Sequence, residues 1–174
     1  MPNEANGQKE ALGVRAPVVI EEHHVVNEFS CGKETLDDFI KNKALKNRRN
    51  KASTTYVICK HDSNVVIGYF ALASGCVVRD EAPKSMQRNM PREIPAVVLG
   101  RLAIDWRRQG QGLGEALLQD AFERALVASN TIGAAVMLLH AIDIAAADFY
   151  RKHGFKESPI KPLTLMHSLK RSLG

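Results

Sequence analysis

Three glycines at alternate positions, Gly110, Gly112 and Gly114, stand between an apolar run and a strongly helical segment. The run is Val97-Val98-Leu99-Gly100-Arg101-Leu102-Ala103-Ile104, and the helical segment covers residues 115–128. This order, strand then glycine-rich turn then helix, restricts the chain to folds that set a helix N-terminus at the end of a strand. The unpaired N–H groups there and the positive end of the helix dipole attract an anion, and glycine lets a phosphate approach the backbone. Taken alone, residues 107–114 fit a phosphate cradle and a plain tight turn equally well. The stretch is not a Walker loop, because no Gly-Lys-Ser/Thr follows Gly114. It also misses the spacing of the dinucleotide fingerprint, and no acidic residue stands at the ribose position.

The pattern around this stretch reads as one domain over residues 18–174, preceded by a polar extension over residues 1–17 that is expected to be mobile. Val18-Val19-Ile20 suits a first strand. Leu36, Phe39, Ile40 and Ala44 recur at helical spacing and predict a helix over 33–47. Residues 54–59 read as a strand, 61–64 as a turn and 65–74 as the returning strand of a hairpin. Pro83, Pro91 and Pro95 mark 80–95 as mostly loop, with one short helix near 84–90. After the glycines, Leu117, Leu118, Ala121, Phe122, Ala125 and Leu126 form an apolar helical stripe. A short strand at 134–140 and a helix at 145–153 follow, with Gly154 where a left-handed cap belongs. Residues from Phe155 on, with 163–169, supply the last strands. Strands followed by strand–helix units predict an α+β (α/β) sheet with helices packed on it.

Composition narrows the chemistry. No apolar run among the 174 residues approaches the length of a membrane span, and the first residues lack a signal-peptide pattern. Cys31, Cys59 and Cys76 are odd in number, widely spaced and without a Cys-x-x-Cys pair. They suit a reducing cytoplasm and packing roles, not a disulfide frame or a zinc site, and no metal is expected. A formal charge of +5 and a pI near 9.2 favour a polyanionic partner.

A second motif, Asp143-Ile144-Ala145-Ala146-Ala147-Asp148-Phe149-Tyr150-Arg151-Lys152-His153-Gly154-Phe155, lies one strand further on. Together the two segments resemble the GCN5-related N-acetyltransferase (GNAT) family. Arg107, Gly110 and Gly112 match its phosphate-loop signature, and Tyr150, Lys152, Gly154 and Phe155 match its second signature. The resemblance implies a central mixed, mostly antiparallel, twisted sheet flanked by helices. Where the family usually has Asn, seven residues before the Tyr, this chain has Asp143.

A narrower likeness spans most of the chain: Asn27-Glu28-Phe29-Ser30-Cys31-Gly32-Lys33, Lys43-Ala44-Leu45-Lys46, residues 68–74, residues 99–105 and Arg108-Gln109-Gly110-Gln111-Gly112-Leu113-Gly114. These segments resemble the acetyltransferase toxins of bacterial type II toxin–antitoxin modules. The likeness implies transfer of acetyl from acetyl-CoA to the α-amine of aminoacyl-tRNA, blocking translation, with a ribbon-helix-helix antitoxin and a homodimer as partners. It implies a pyrophosphate held by Arg107, Arg108, Gln109, Gly110, Gln111, Gly112, Leu113 and Gly114. A pantetheine arm along Leu102, Ala103 and Ile104, with Phe149 beside it, follows from the same likeness. A backbone N–H of that strand would polarise the thioester carbonyl.

Acyl transfer also needs a neutral amine and a proton for the departing thiolate. Tyr150 suits the second task, since a phenol of pKa about 10 is protonated at neutral pH. Phe149 is expected to take the packing role on the same helix. The amine of an aminoacyl ester titrates low, so no strong protein base is required. Lys41, Lys43, Lys46, Arg48, Arg49 and Lys51 form a basic stretch without an interrupting acid. With Lys33 and with Lys84, Arg88 and Arg92 of the proline-rich loop, Lys41, Arg48 and Arg49 are the candidate tRNA contacts. A solvated helix face is the other reading of such a run. Two further readings stay open: a GNAT enzyme for a protein or small-molecule amine, and a non-catalytic module that binds tRNA or an antitoxin.

Overall fold

Seven strands form a sheet in the order β1-β2-β3-β4-β5-β7-β6. They are β1 Val18–Val19, β2 Thr54–Cys59, β3 Val66–Val78, β4 Glu93–Ile104, β5 Val136–His140, β6 Lys156–Glu157 and β7 Thr164–Ser168. β4 and β5 run parallel, while β1–β2, β2–β3, β5–β7 and β6–β7 are antiparallel. This mixed, mostly antiparallel sheet with flanking helices is the architecture that the two motifs imply. The computed structural model describes residues 13–170. The chain divides into two compact units, Met1–Ala73 with Arg101–Ala121, and Ser74–Gly100 with Phe122–Gly174.

In the first unit, β2 and β3 make the expected hairpin, with Thr55 opposite Ala71 and Val57 opposite Tyr69. The turn closes through Ser63 N–H to Lys60 O at 3.0 Å, and Asp62 takes a positive φ there. Tyr69 is the pivot of the core. Its ring packs edge-on against Phe29 and stacks on Phe39, and its hydroxyl donates to Leu36 O at 2.7 Å. Ile20, Ile40, Ala44, Val57, Val66 and Ala103 complete the cluster. Burying side chains of this size stabilises the unit by about 1.5–3 kcal/mol each.

The first helical segment differs from the simple helix predicted over 33–47. It runs as α1 Glu34–Asp38, a π-helical turn Phe39–Lys43, and α2 Ala44–Arg49. Ala44 N–H donates to Phe39 O, five residues back, which swings Ala44 onto the face that already holds Phe39 and Ile40. All three are buried, so the wider turn keeps Ala44 on the core side with Phe39 and Ile40. The periodicity of the apolar residues is compatible with either winding, which is why it predicts only the helix.

The packed chain also begins earlier than residue 18. Val14 is buried and bridges Lys60, and His61 N–H donates to Gly13 O at 3.1 Å. Residues 1–12 of the expected extension lie outside the described residues.

In the second unit, Val77, Ala82, Ile94, Ala96, Ala135, Val136, Leu138 and Met166 form the core. The proline-rich stretch holds one short helix, α3 Lys84–Gln87, and β4 begins at Glu93, so Pro95 lies within a strand. Of the two longer helices, α4 Leu113–Ala128 begins in the first unit, with Leu117, Leu118, Ala121 and Ala125 buried, and α5 Ile144–Lys152 belongs to the second.

Candidate active site

The glycine-rich turn lies in the first unit, between the end of β4 and the start of α4. Leu102, Ala103 and Ile104 end the strand, Arg107 and Arg108 sit in a single 3-10 turn (Trp106–Arg108), and Leu113 and Gly114 open the helix. Gly110 and Gly112 have φ of 74° and 82°, a left-handed backbone that L side chains adopt only at a cost. A Cβ built on either would meet nothing within 4 Å. The glycines are therefore needed for conformation, and the outer side of the turn is open. No described backbone group accepts from the Gly110, Gln111 or Gly112 amides. An open turn with unspent amides at the mouth of a long helix fits a phosphate group.

The turn is held from behind by Asp105, to which the sequence assigns no role. Its carboxylate is buried, with 2% of its surface exposed. Oδ1 accepts from Arg107 N at 3.0 Å and Arg107 Nε at 2.9 Å, and Oδ2 accepts from Ser30 N at 3.1 Å and Arg107 Nη2 at 3.0 Å. The Arg107 guanidinium and these amides hold the carboxyl below the usual carboxylate range. Arg107 Nη2 also donates to Glu28 O, and Trp106 N to Ser30 O. Gln109 Nε2 donates to both Cys31 O and Ile104 O. Thus the side chains of Arg107 and Gln109, expected at the cofactor, lace the turn to residues 28–31, and of their two backbone amides only that of Gln109 stays available. The signal was an Asp just before a turn, where a short side chain caps free N–H groups.

Tyr150 lies in the second unit, on α5. Asp143 caps this helix by accepting from Ala146 N at 2.8 Å, a task Asp performs as well as Asn. At the other end Gly154 takes φ of 90°, Gly154 N donates to Arg151 O and Phe155 N to Tyr150 O. This is a Schellman end, and it explains the spacing of Tyr150, Gly154 and Phe155 in the motif. Tyr150 is 8% exposed, while Phe149 is only half-buried, which reverses the packing roles expected for the pair. Phe149 and Phe155 meet the Tyr150 ring edge-on. No described group hydrogen-bonds the Tyr150 hydroxyl, and burial alone pushes the phenol up to about 12.

The acetyltransferase (GNAT) domain family matches residues 52–157, which contain both motifs. The chain belongs to the GNAT acetyltransferase family. Within the family it is 40% identical over 158 residues to the "tRNA-acetylating toxin" of Mycobacterium tuberculosis (strain ATCC 25618 / H37Rv), covering 91% of this chain and 94% of that one. Its fold is similar to that of AtaT complexed with acetyl-methionyl-tRNAfMet, with a TM-score of 0.82 and 30% identity over 89% of this chain and 94% of that one. It is also similar to a tyrosine-to-phenylalanine mutant of the toxin AtaT bound to the C-terminus of the antitoxin AtaR and acetyl-CoA. There the TM-score is 0.75, with 26% identity over 90% of this chain and 93% of that one.

The basic residues of this acetyltransferase are less one-sided in space than in sequence. Arg48 Nη1 donates to Ile20 O at 2.6 Å and lies 4.0 Å from Glu21, Arg49 pairs with Glu22, and Lys43 with Asp38. Acids outside the run therefore answer part of its charge. Lys33 and Lys41 are exposed in the first unit, and Lys84, Arg88 and Arg92 are exposed in the second. Cys59 is buried and Cys31 half-buried, its thiol pushed up to about 11 chiefly by burial, but Cys76 is exposed and does not pack as expected. Among the described residues no cluster of His, Cys, Asp or Glu has the composition of a metal site, and no helix is long and apolar enough to cross a membrane.

Proposed function

We propose that this acetyltransferase is a toxin that moves acetyl from acetyl-CoA to the α-amine of aminoacyl-tRNA and so stops translation. The observation that carries the reading is the near-full-length likeness to the M. tuberculosis tRNA-acetylating toxin. The open glycine turn, with its unspent amides, supports a pyrophosphate site formed by Gln109 to Gly114 backbone groups, and Leu102, Ala103 and Ile104 would carry the pantetheine arm as an added strand does.

In the reaction the neutral amine attacks the thioester carbonyl carbon. A C–N bond forms, the C–S bond breaks, the sulfur takes a proton, and the amine gives its surplus proton to water. Tyr150 is the donor to sulfur in this reading, with Phe149 bracing its ring. Its hydroxyl has no described partner to compete for the proton, and burial keeps it a phenol throughout the physiological range. No protein base is assigned, because the α-amine of an amino acid ester is largely neutral near pH 7.5.

The partners in this reading are aminoacyl-tRNA, an antitoxin of the ribbon-helix-helix class and a second copy of the chain, all in the cytoplasm. Cell-free translation with acetyl-CoA, followed by mass analysis of the aminoacyl-tRNA, tests it. Acetylated aminoacyl-tRNA is expected. Acetylation of a ribosomal or other protein with charged tRNA left unmodified would overturn it.

A further inference from the structure

Arg101 stands on β4 immediately before Leu102, Ala103 and Ile104. Its guanidinium carbon lies 4.0 Å from the centroid of the buried Phe39 ring. The residue is half-buried, yet no carboxylate among the described residues pairs with it and no described group accepts its hydrogen bonds. The other arginines nearby are spent: Arg48 on Ile20 O, Arg49 on Glu22 and Arg107 on Asp105. A charge withdrawn from water without a partner is costly, so a fixed and unpaired guanidinium is a group waiting for an anion. The planar fork of Arg suits a phosphate, and stacking on an aromatic face leaves its N–H edges directed outward.

The π-helical turn makes this platform. It brings Ala44 beside Phe39 and Ile40, and the Phe39 ring stacks with Tyr69 and carries the Arg101 guanidinium over its face. Along β4, Arg101 is two residues from Ala103, a separation of about 7 Å. Both side chains fall on the sheet face that carries α1 and α2. The pyrophosphate turn lies beyond Ile104, so Arg101 stands three residues up the strand from it, about 10 Å from the end that leads to the donor's phosphates.

We infer that Arg101 grips the phosphodiester next to the terminal adenosine of the aminoacyl-tRNA and so sets the amine at the end of the donor strand. This rests on the acceptor proposed above. The role is substrate recognition, and Phe39 is its positioning residue.

The experiment compares wild type with Arg101→Gln and Arg101→Lys, all checked for an unchanged melting temperature. One acceptor is bulk charged tRNA. The other is the aminoacyl-adenosine released from the same pool by ribonuclease cleavage after the penultimate cytidine, which lacks that phosphate. Arg101→Gln should lower kcat/KM for charged tRNA at least tenfold, leave aminoacyl-adenosine and the KM for acetyl-CoA within twofold, and flatten the log–log salt slope by about 0.7. Arg101→Lys should keep the salt slope and lose less. Equal losses on both acceptors, a change confined to the KM for acetyl-CoA, or an unchanged salt slope in Arg101→Gln would overturn the inference. Where wild type does not turn over aminoacyl-adenosine, the salt slope decides alone. Failure of wild type to acetylate charged tRNA at all is a different result and removes the proposed acceptor instead.

Discussion

Asp105 is the residue whose titration should govern the first unit in acid. The folded state holds its proton affinity below that of an unfolded aspartate, so the unfolded chain binds the proton first as pH falls. Its stabilisation is present above about pH 4 and is lost as pH drops through the lower folded value. Asp105→Asn should cost roughly 1–3 kcal/mol at neutral pH. Thermal melts of wild type and variant should converge toward pH 2, while a constant gap between the curves would contradict the assignment. Tyr150 titrates in the opposite sense. Its raised phenol contributes stability that is complete below about pH 10, the unfolded value, and is lost as pH rises toward the folded value of about 12. Tyr150→Phe removes a hydroxyl without a described partner, so the melting temperature should hold while kcat falls about 100-fold or more. Activity of the native protein should not decline between pH 7 and about 10 through this group. The helix end around Tyr150 was legible in the sequence because its motif is local. Asp105 was not, because its Ser30 contact joins residues 75 positions apart.

At the level of elements, the turn and the capped helix carry most of what the sequence made readable. Gly110, Gly112 and Gly154 each sit at positive φ, where their chemistry had placed a tight turn or a left-handed cap. Gly112→Ala should destabilise by about 1–2 kcal/mol from backbone strain alone. It should also raise the KM for acetyl-CoA several-fold, read from initial rates at saturating acceptor. Asp143→Asn should keep the cap and leave stability within error, whereas Asp143→Ala should cost about 1 kcal/mol in a denaturant titration. The β2–β3 hairpin was equally plain, since alternation and a polar turn determine it locally. The π turn was hidden: a one-residue change in winding leaves the apolar spacing nearly intact, and only the packing against Tyr69 and Ala103 selects it.

Across the molecule, a net charge of +5 suits a polyanion, but the sequence overstates how much of that charge is free. Folding spends Arg48 on a backbone carbonyl and Arg49 and Lys43 on acids that lie elsewhere in the chain. Arg48→Gln should therefore lower the melting temperature, at about 1 kcal/mol, more than it alters the salt dependence of tRNA acetylation. The sheet order was inferable only through the family likeness, because which strands pair across long separations is not written in any local pattern. The wide turn of the first helix sets one further condition, on chain length. The turn already absorbs one extra residue, so losing Lys41 or Asn42 would restore regular winding with the following turns still in phase, whereas adding a residue there would rotate everything after it by about 100°. On such an addition Arg48 would leave Ile20, Ala44 would leave the core, and the ring beneath Arg101 would lose its support. A chain of this kind tolerates exchanges of side chain, or one loss, in that segment far better than the gain of a single residue.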